Sequence, residues 1–434
     1  MKQLIVGLIE MQNTQVNMRC TLNRTHIKAL KPELLYVAVD LAPRMGGQSQ
    51  LPTVTARRSL KIALAIDSSG SMQQDNKFEY AQQAAVSLVR ALRSNDMISI
   101  TSFETKARVE VPLTAASDAS FLENAIAAIP LGNETDLYEG LRLAWEQIMP
   151  GAGTSNVISR VILLTDGQPT RGKTNEKEFL KLADEIRQSG IPVTTIGVGS
   201  DYNERLLMAI SQATGSAWYH VSNPSYVSDI FADEVTQMAQ TVLQSPLLTI
   251  IGHEGSEIVD AYTMKPMVKR VTGGKSQRRI ELRVGDIVIG QDQTVCVRVR
   301  VSGRPSGQYP LMRISLAGQT TELSVTSTDD ESLASVEADP YPRLLWVASD
   351  GLTLAQQWLS GDMKALSEVE TRIRTLTADP SMPTVVQSKQ ALESTATRLS
   401  QIYSEATRLV PGGLSEDDKK RLWQETTIIK KKRQ

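Results

Sequence analysis

The apolar run Leu60-Lys61-Ile62-Ala63-Leu64-Ala65-Ile66 passes straight into Asp67-Ser68-Ser69-Gly70-Ser71, and this junction constrains the fold more than any other stretch. A short, nearly continuous apolar run that stops at turn residues predicts a strand buried on both faces. Ending it in D-x-S-x-S delivers one carboxylate and two hydroxyls to a single point at the carboxyl edge of a sheet. Hard oxygens converging there suit a small divalent cation. Mg2+ comes ahead of Mn2+ or Ca2+, because it takes octahedral oxygen shells with few protein carboxylates. Two later segments can complete such a site. Thr135, in Gly132-Asn133-Glu134-Thr135-Asp136-Leu137, stands just before a helical run. Asp166 ends the apolar strand Val161-Ile162-Leu163-Leu164-Thr165 and precedes Gly167. Both fall where a parallel α/β sheet places its ligand-binding loops, beyond the carboxyl ends of strands at the topological switch point. The competing reading is that the serines and the threonine merely cap helices.

The surrounding segment alternates strands and helices as a doubly wound sheet requires. After Leu60–Ile66 come a helix over Lys77–Leu92 and a strand pair, Met97–Phe103 and Ala107–Leu113, closed by Glu104-Thr105-Lys106. Helices follow near Ala119–Ala128 and Leu137–Met149, and after the Asp166 strand a helix over Glu176–Gln188 stops at Gly190. Strand Ile191–Val198, helix Glu204–Thr214, strand Trp218–Val221 and helix Tyr226–Leu243 complete the pattern. Asp201 is read as a helix N-cap. The fold class is α/β, with six mostly parallel strands and helices on both faces.

Taken together, the segment from about residue 58 to 243 resembles a von Willebrand factor type A domain, assigned here to residues 56–243. Its D-x-S-x-S, distant threonine and D-before-G resemble that family's metal-ion-dependent adhesion site, in the form found in bacterial and intracellular members. The resemblance implies that Ser69, Ser71 and Thr135 ligate a metal through their hydroxyls. It also implies that Asp67 and Asp166 act directly or through water, and that the sixth position awaits a partner's carboxylate. Specificity would then lie on the rim, in Met72–Asn76, Glu134, Asp136 and Gln168–Lys173. In adhesion relatives the last helix moves on ligation, which suggests the same coupling here. Bacterial relatives of this kind often serve beside AAA-type ATPases or kinase and phosphatase partners.

After Pro246 the texture changes to short β-branched runs, Leu247–Ile251, Glu257–Tyr262, Arg279–Val284, Thr294–Val301, Leu311–Ala317 and Thr320–Thr326, separated by glycines. That pattern predicts a β-sandwich over 244–330. Gln15–Leu22 and Leu34–Val39 share the texture, so the strands of 1–55 are expected to help close it, with the α/β domain inserted between. Tyr341–Leu359, Met363–Leu376 and Val385–Val410 then predict a helical hairpin or bundle over 331–411, followed by a basic flexible tail, 412–434.

Net charge is -1 and aromatics are 5%, which supplies neither the field nor the stacking platforms of a nucleic-acid binder. The apolar stretch in Met1–Glu10 is too short for an export signal, and no window reaches the length of a membrane span. A cytoplasmic protein is the expectation. Cys20 and Cys296 read as two buried thiols. His26, His220 and His253 lack metal spacing, which argues against zinc. Ser68-Ser69-Gly70-Ser71 lacks the G-x-S-x-G elbow of a serine hydrolase. Lys265, Lys269, Arg270, Lys275, Arg278, Arg279 and Arg283 form the densest basic stretch, read as a solvated loop face rather than a phosphate patch. The expected function is a non-enzymatic, Mg2+-dependent protein-binding scaffold that takes an Asp or Glu of a protein partner. The alternatives are a structural subunit of an oligomeric assembly and a metal-dependent hydrolase.

Overall fold

The computed structural model describes residues 16–44, 57–150, 157–199, 201–264, 268–271, 276–362, 364–388 and 390–409, with 415, 418–419 and 421–422. Met1–Glu10, Met45–Gln48, Lys265, Gly273-Gly274, Lys275 and the basic tail Thr426–Gln434 lie outside the described residues. The chain divides into two compact units.

One unit contains Gln50–Ser245 with Leu359–Asp362 and Gln401–Gln434. Its apolar run folds as the strand Ser59–Asp67, buried from Leu60 onward. This strand stands inside a six-stranded sheet in the order Ala107–Ala115, Met97–Phe103, Ser59–Asp67, Val157–Thr165, Val193–Val198, Trp218–Val221. Pairing is parallel throughout except in the hairpin Met97–Phe103 with Ala107–Ala115. From Ser59–Asp67 the chain builds outward on one side and then returns to build on the other. The reversal puts the switch point between the ends of Ser59–Asp67 and Val157–Thr165, where Ile66 lies opposite Leu164. Asp67 and Asp166 therefore emerge side by side.

Hydrophobic burial fixes this arrangement. Leu60, Ile62, Leu64 and Ile66 point to one face and join a core with Phe78, Leu88, Ile230, Phe231 and Met238 from the helices Lys77–Ala91 and Val227–Ala239. Each such side chain contributes about 1.5–3 kcal/mol when fully buried. Side-chain caps set the starts of four helices: Asp118, Asp136, Asn175 and Asn203 each accept an amide proton of the first turn. Asn203, not Asp201, caps Glu204–Thr214, because only the residue abutting the first turn reaches its amides. The last helix stops at Ala239, and Thr241–Leu243 is extended, so the helix is shorter than its sequence pattern suggested.

The other unit contains Met1–Ser49, Pro246–Trp358 and Met363–Ser400. It holds two five-stranded sheets that draw strands from both sides of the α/β segment. Glu33–Pro43 pairs antiparallel with Gln293–Val301, and His26–Lys28 pairs parallel with Gln319–Thr328. Cys20 lies opposite Val39, and Cys296 opposite Ala38, so the two thiols point to opposite faces of one sheet. Both are free, Cys296 buried and Cys20 half-buried, and Cys296 donates to the carbonyl of Pro342.

The helix Tyr341–Leu359 carries the expected stripe, with Leu344, Leu345, Ala348, Leu352 and Ala355 buried. Its Asp350 accepts from Tyr262 and Arg372, and the Arg298 guanidinium lies 4.2 Å above the Trp346 ring. Beyond Ala365–Ala378 the third expected helix is described over Met382–Ser388 and Gln390–Leu409. The first starts ahead of Pro383, a position where the missing amide proton has no helical partner. In the basic stretch Arg270 pairs with Asp260, Arg279 with Glu281, and Arg278 donates to the Gly252 carbonyl. Arg278 and Arg279 are exposed, as a solvated face requires.

Candidate functional site

The loop after Ser59–Asp67 turns immediately into the 3-10 segment Gly70–Asn76, and this tight turn folds its hydroxyls back toward the strand end. Asp67 is fully buried. Its Oδ1 accepts the Ser69 amide at 2.9 Å and its Oδ2 accepts the Thr165 hydroxyl at 2.5 Å. Ser69 Oγ lies 3.2 Å from Ser71 Oγ, and Ser71 Oγ donates to Asp166 Oδ1 at 2.6 Å. Asp166, also fully buried, receives Lys77 Nζ on Oδ2 at 2.8 Å.

Thr135 joins the group around Gly167. A Cβ at Gly167 would lie 3.7 Å from Ser71 Oγ and 3.7 Å from Thr135 Oγ1. The absent side chain therefore leaves a small cradle faced by both hydroxyls. The Thr135 loop is held from two directions. Its amide donates to Thr170 Oγ1, and its carbonyl accepts the amides of Thr170 and Arg171. Gly132 N–H donates to the Ser68 carbonyl at 2.7 Å, tying the same loop to the D-x-S-x-S turn.

All five expected residues thus meet at one sheet edge, and the helix-capping alternative accounts for none of the three hydroxyls. Ser69 precedes the 3-10 segment but makes no side-chain cap, Ser71 donates to Asp166, and Asp136 rather than Thr135 caps Leu137–Ile148. The donor set fits a small hard cation: three neutral hydroxyls and two carboxylates, with room at Gly167. Among the described residues there is no group of three or more His, Cys, Asp or Glu side chains that could hold a metal, so a cation here would depend on the hydroxyls. His220 bonds to the Tyr202 hydroxyl at 2.7 Å and His253 to Glu322 at 2.9 Å.

Electrostatics favour a cation as well. Burial pushes the Asp67 carboxyl up to about 6, with the neighbouring Asp166 adding to the rise and the Thr165 and Ser69 hydrogen bonds opposing it. The metal-free site therefore favours an added positive charge, a proton or a cation.

Sequence reasoning missed two groups. Thr165 is the last residue of an ordinary apolar strand, and nothing in its pattern marks its bond to Asp67. Lys77 gave one signal: a lysine at the first helical position, where the helix dipole disfavours it. The expected rim needs one correction. Met72 is fully buried in the α/β core, packed there because the 3-10 turn points it inward, whereas Gln73, Gln74, Asp75 and Asn76 are exposed. Elsewhere on the rim Arg171 pairs with Glu134 at 3.4 Å, and Lys173 lies 4.4 Å above the Tyr138 ring.

The family model for the von Willebrand factor type A domain matches residues 61–233. That segment is a von Willebrand factor type A domain. The chain is 26% identical over 298 residues to the uncharacterized protein YfbK of Escherichia coli, a match covering 66% of this chain and 49% of that protein. The chain thus spans about half the length of that curated relative. Its fold is similar to a von Willebrand factor type A protein of Catenulispora acidiphila, with TM-score 0.67, 16% identity, and 90% of this chain and 91% of that one covered. It is also similar to the ArnB paralog VWA2 of Sulfolobus acidocaldarius, with TM-score 0.57, 18% identity and coverage of 95% and 97%. No helix of the described residues is long and apolar enough to cross a membrane.

One consequence of the cradle is directly testable. Gly167→Ala places a methyl group at ordinary contact distance from both hydroxyls, so the type A domain should fold normally. The methyl occupies the space between Ser71 and Thr135, so a divalent cation seated in that cradle, titrated as Mg2+ by calorimetry, should bind more weakly by about tenfold or more. Unchanged affinity in a folded variant would place the cation elsewhere.

Proposed function

We propose that the chain is a non-enzymatic, Mg2+-dependent protein-binding scaffold, whose type A domain captures an aspartate or glutamate of a protein partner. The observation that carries this reading is the gathering of three hydroxyls and two buried carboxylates at one sheet edge, with Ser71 and Thr135 facing Gly167. A cation held there mainly by neutral hydroxyls keeps excess positive charge and, when bound, offers an open position to an incoming carboxylate. Ser69, Ser71 and Thr135 would hold it directly, and Asp67 and Asp166 directly or through water. Burial of the contact strengthens the attraction. The exposed Arg171–Glu134 pair beside Thr135 adds little on its own and can rearrange for a ligand.

Both carboxylates have structural partners already, Asp67 in Ser69 and Thr165, Asp166 in Ser71 and Lys77. Neither stands ready as a base for water, which favours binding over hydrolysis. The two five-stranded sheets are read as a β-sandwich into whose sequence the type A domain is inserted. A cytoplasmic setting beside an AAA-type ATPase or a kinase and phosphatase system belongs to the same reading.

The test is a pull-down from the native cell with wild type and Asp67→Ala, each with Mg2+ and with chelator. Capture should occur with wild type in Mg2+ alone, and circular dichroism should show both proteins folded. Equal capture by folded Asp67→Ala in chelator would defeat the proposal.

A further inference from the structure

Lys77 runs against ordinary helix chemistry. It opens the helix Lys77–Ala91, where the dipole repels a cation, and it is buried, with its side chain 6% exposed. Two backbone features put it there. Asp75 and Asn76, immediately before it, are consecutive non-glycine residues in the left-handed region, at φ 53 and 55. Gly199, at φ +77, passes over the side chain, and a Cβ there would lie 3.2 Å from Lys77 Cε and 3.3 Å from Nζ. Strain and an unfavourable charge placement retained beside a site point to a role in that site. The ammonium donates to Asp166 Oδ2, while Asp166 Oδ1 faces Ser71.

We propose that Lys77 sets the charge of the cation site so that metal and partner carboxylate bind together. The inference rests on the cation-site reading above. Two carboxylates alone would neutralise a dication and hold it firmly. With the buried ammonium added, the filled site carries one net positive charge, in surroundings where solvent screens it poorly. The cation is then held loosely by itself and tightly once an external carboxylate restores neutrality. By reciprocity the carboxylate is bound only when the metal is present. Lys77 is thus a positioning residue that makes the site respond to coincidence.

The test titrates Mn2+ into the full chain and follows free Mn2+ by its electron paramagnetic resonance signal, with and without saturating acetate, corrected for Mn2+–acetate pairing. In wild type, acetate should tighten Mn2+ binding by about tenfold or more. Lys77→Met should bind Mn2+ about tenfold tighter without acetate and lose most of the acetate effect. A purely structural lysine would leave the acetate effect unchanged, and that result, or equal or weaker Mn2+ binding by the folded variant, overturns the proposal. Lys77→Gln serves if the methionine variant does not fold. Should neither fold, absence of acetate coupling in wild type overturns it alone. Wild type that binds no Mn2+ would instead sink the cation-site reading itself.

Discussion

Replacing Asp67 with asparagine is expected to stabilise the metal-free protein at neutral pH while removing its response to Mg2+. The side chain is fully buried, and burial pushes its carboxyl from 3.8 up to about 6. The native state therefore holds the Asp67 proton more tightly than the unfolded chain does between about pH 4 and pH 6. Stability from this group is fully present below that window and is lost as pH rises through about 6. A shift of this size corresponds to about 3 kcal/mol at neutral pH. Asparagine keeps an acceptor for the Ser69 amide and carries no charge, and the Thr165 hydroxyl can turn to accept its amide. The melting midpoint of the metal-free variant should rise by roughly 6–12 °C at about pH 7.5. On the proposed function a cation takes the place of the proton in wild type, so Mg2+ should raise the midpoint strongly at about pH 7.5 and hardly at about pH 5. Thermal melts with Mg2+ and with chelator at both values check this. A less stable Asn variant, or an equal Mg2+ effect at the two values, would contradict the assignment of Asp67.

The second large effect concerns the helix Val227–Ala239. Its Glu234 is fully buried and accepts from Arg160 at 2.6 Å, from Thr194 at 2.7 Å and from the Tyr219 hydroxyl at 2.6 Å. Those donors sit on three strands, so one carboxylate pins the helix across the sheet. Burial acts to raise its pKa, but Arg160 and the hydroxyl donors prevail and hold the carboxyl below its usual range. The pair's contribution therefore persists at neutral pH and is lost only as pH falls through that lowered pKa. Glu234→Ala removes the carboxylate that joins Arg160, Thr194 and Tyr219, so it should cost about 3–5 kcal/mol. The midpoint should drop by roughly 6–20 °C. Arg160→Met should do likewise, and the double variant Arg160→Met with Glu234→Leu should recover most of the loss. A single variant that costs under about 1 kcal/mol would show that the pair is not buried in solution. Sliding this helix along the sheet would break all three bonds at once. Helix travel of the kind suggested by adhesion relatives is opposed here by that carboxylate.

Much of the type A domain was legible because parallel central strands are buried on both faces and read as unbroken apolar runs. Met97–Phe103, Glu176–Gln188, Glu204–Thr214 and Trp218–Val221 begin and end where their patterns do. The five oxygen-bearing residues were legible for a related reason: each stands at a strand end or just before a helix start, and the topology of a doubly wound sheet gathers such positions. Met72 was misread because the short 3-10 turn has a period that a seven-residue segment cannot declare.

What the chain alone determined is the order of strands and helices and the identity of the oxygens at the sheet edge, since both follow from local hydrophobic period and turn chemistry. Only the tertiary structure decided which charges face one another. Lys77 and Asp166, Thr165 and Asp67, and Arg160 and Glu234 lie far apart in sequence, and Thr165, Arg160 and Glu234 read alone as ordinary strand or helix residues. Their pairing comes from chain reversal at the switch point and from burial, which makes an unmatched charge too costly to keep and so selects the partner across the fold.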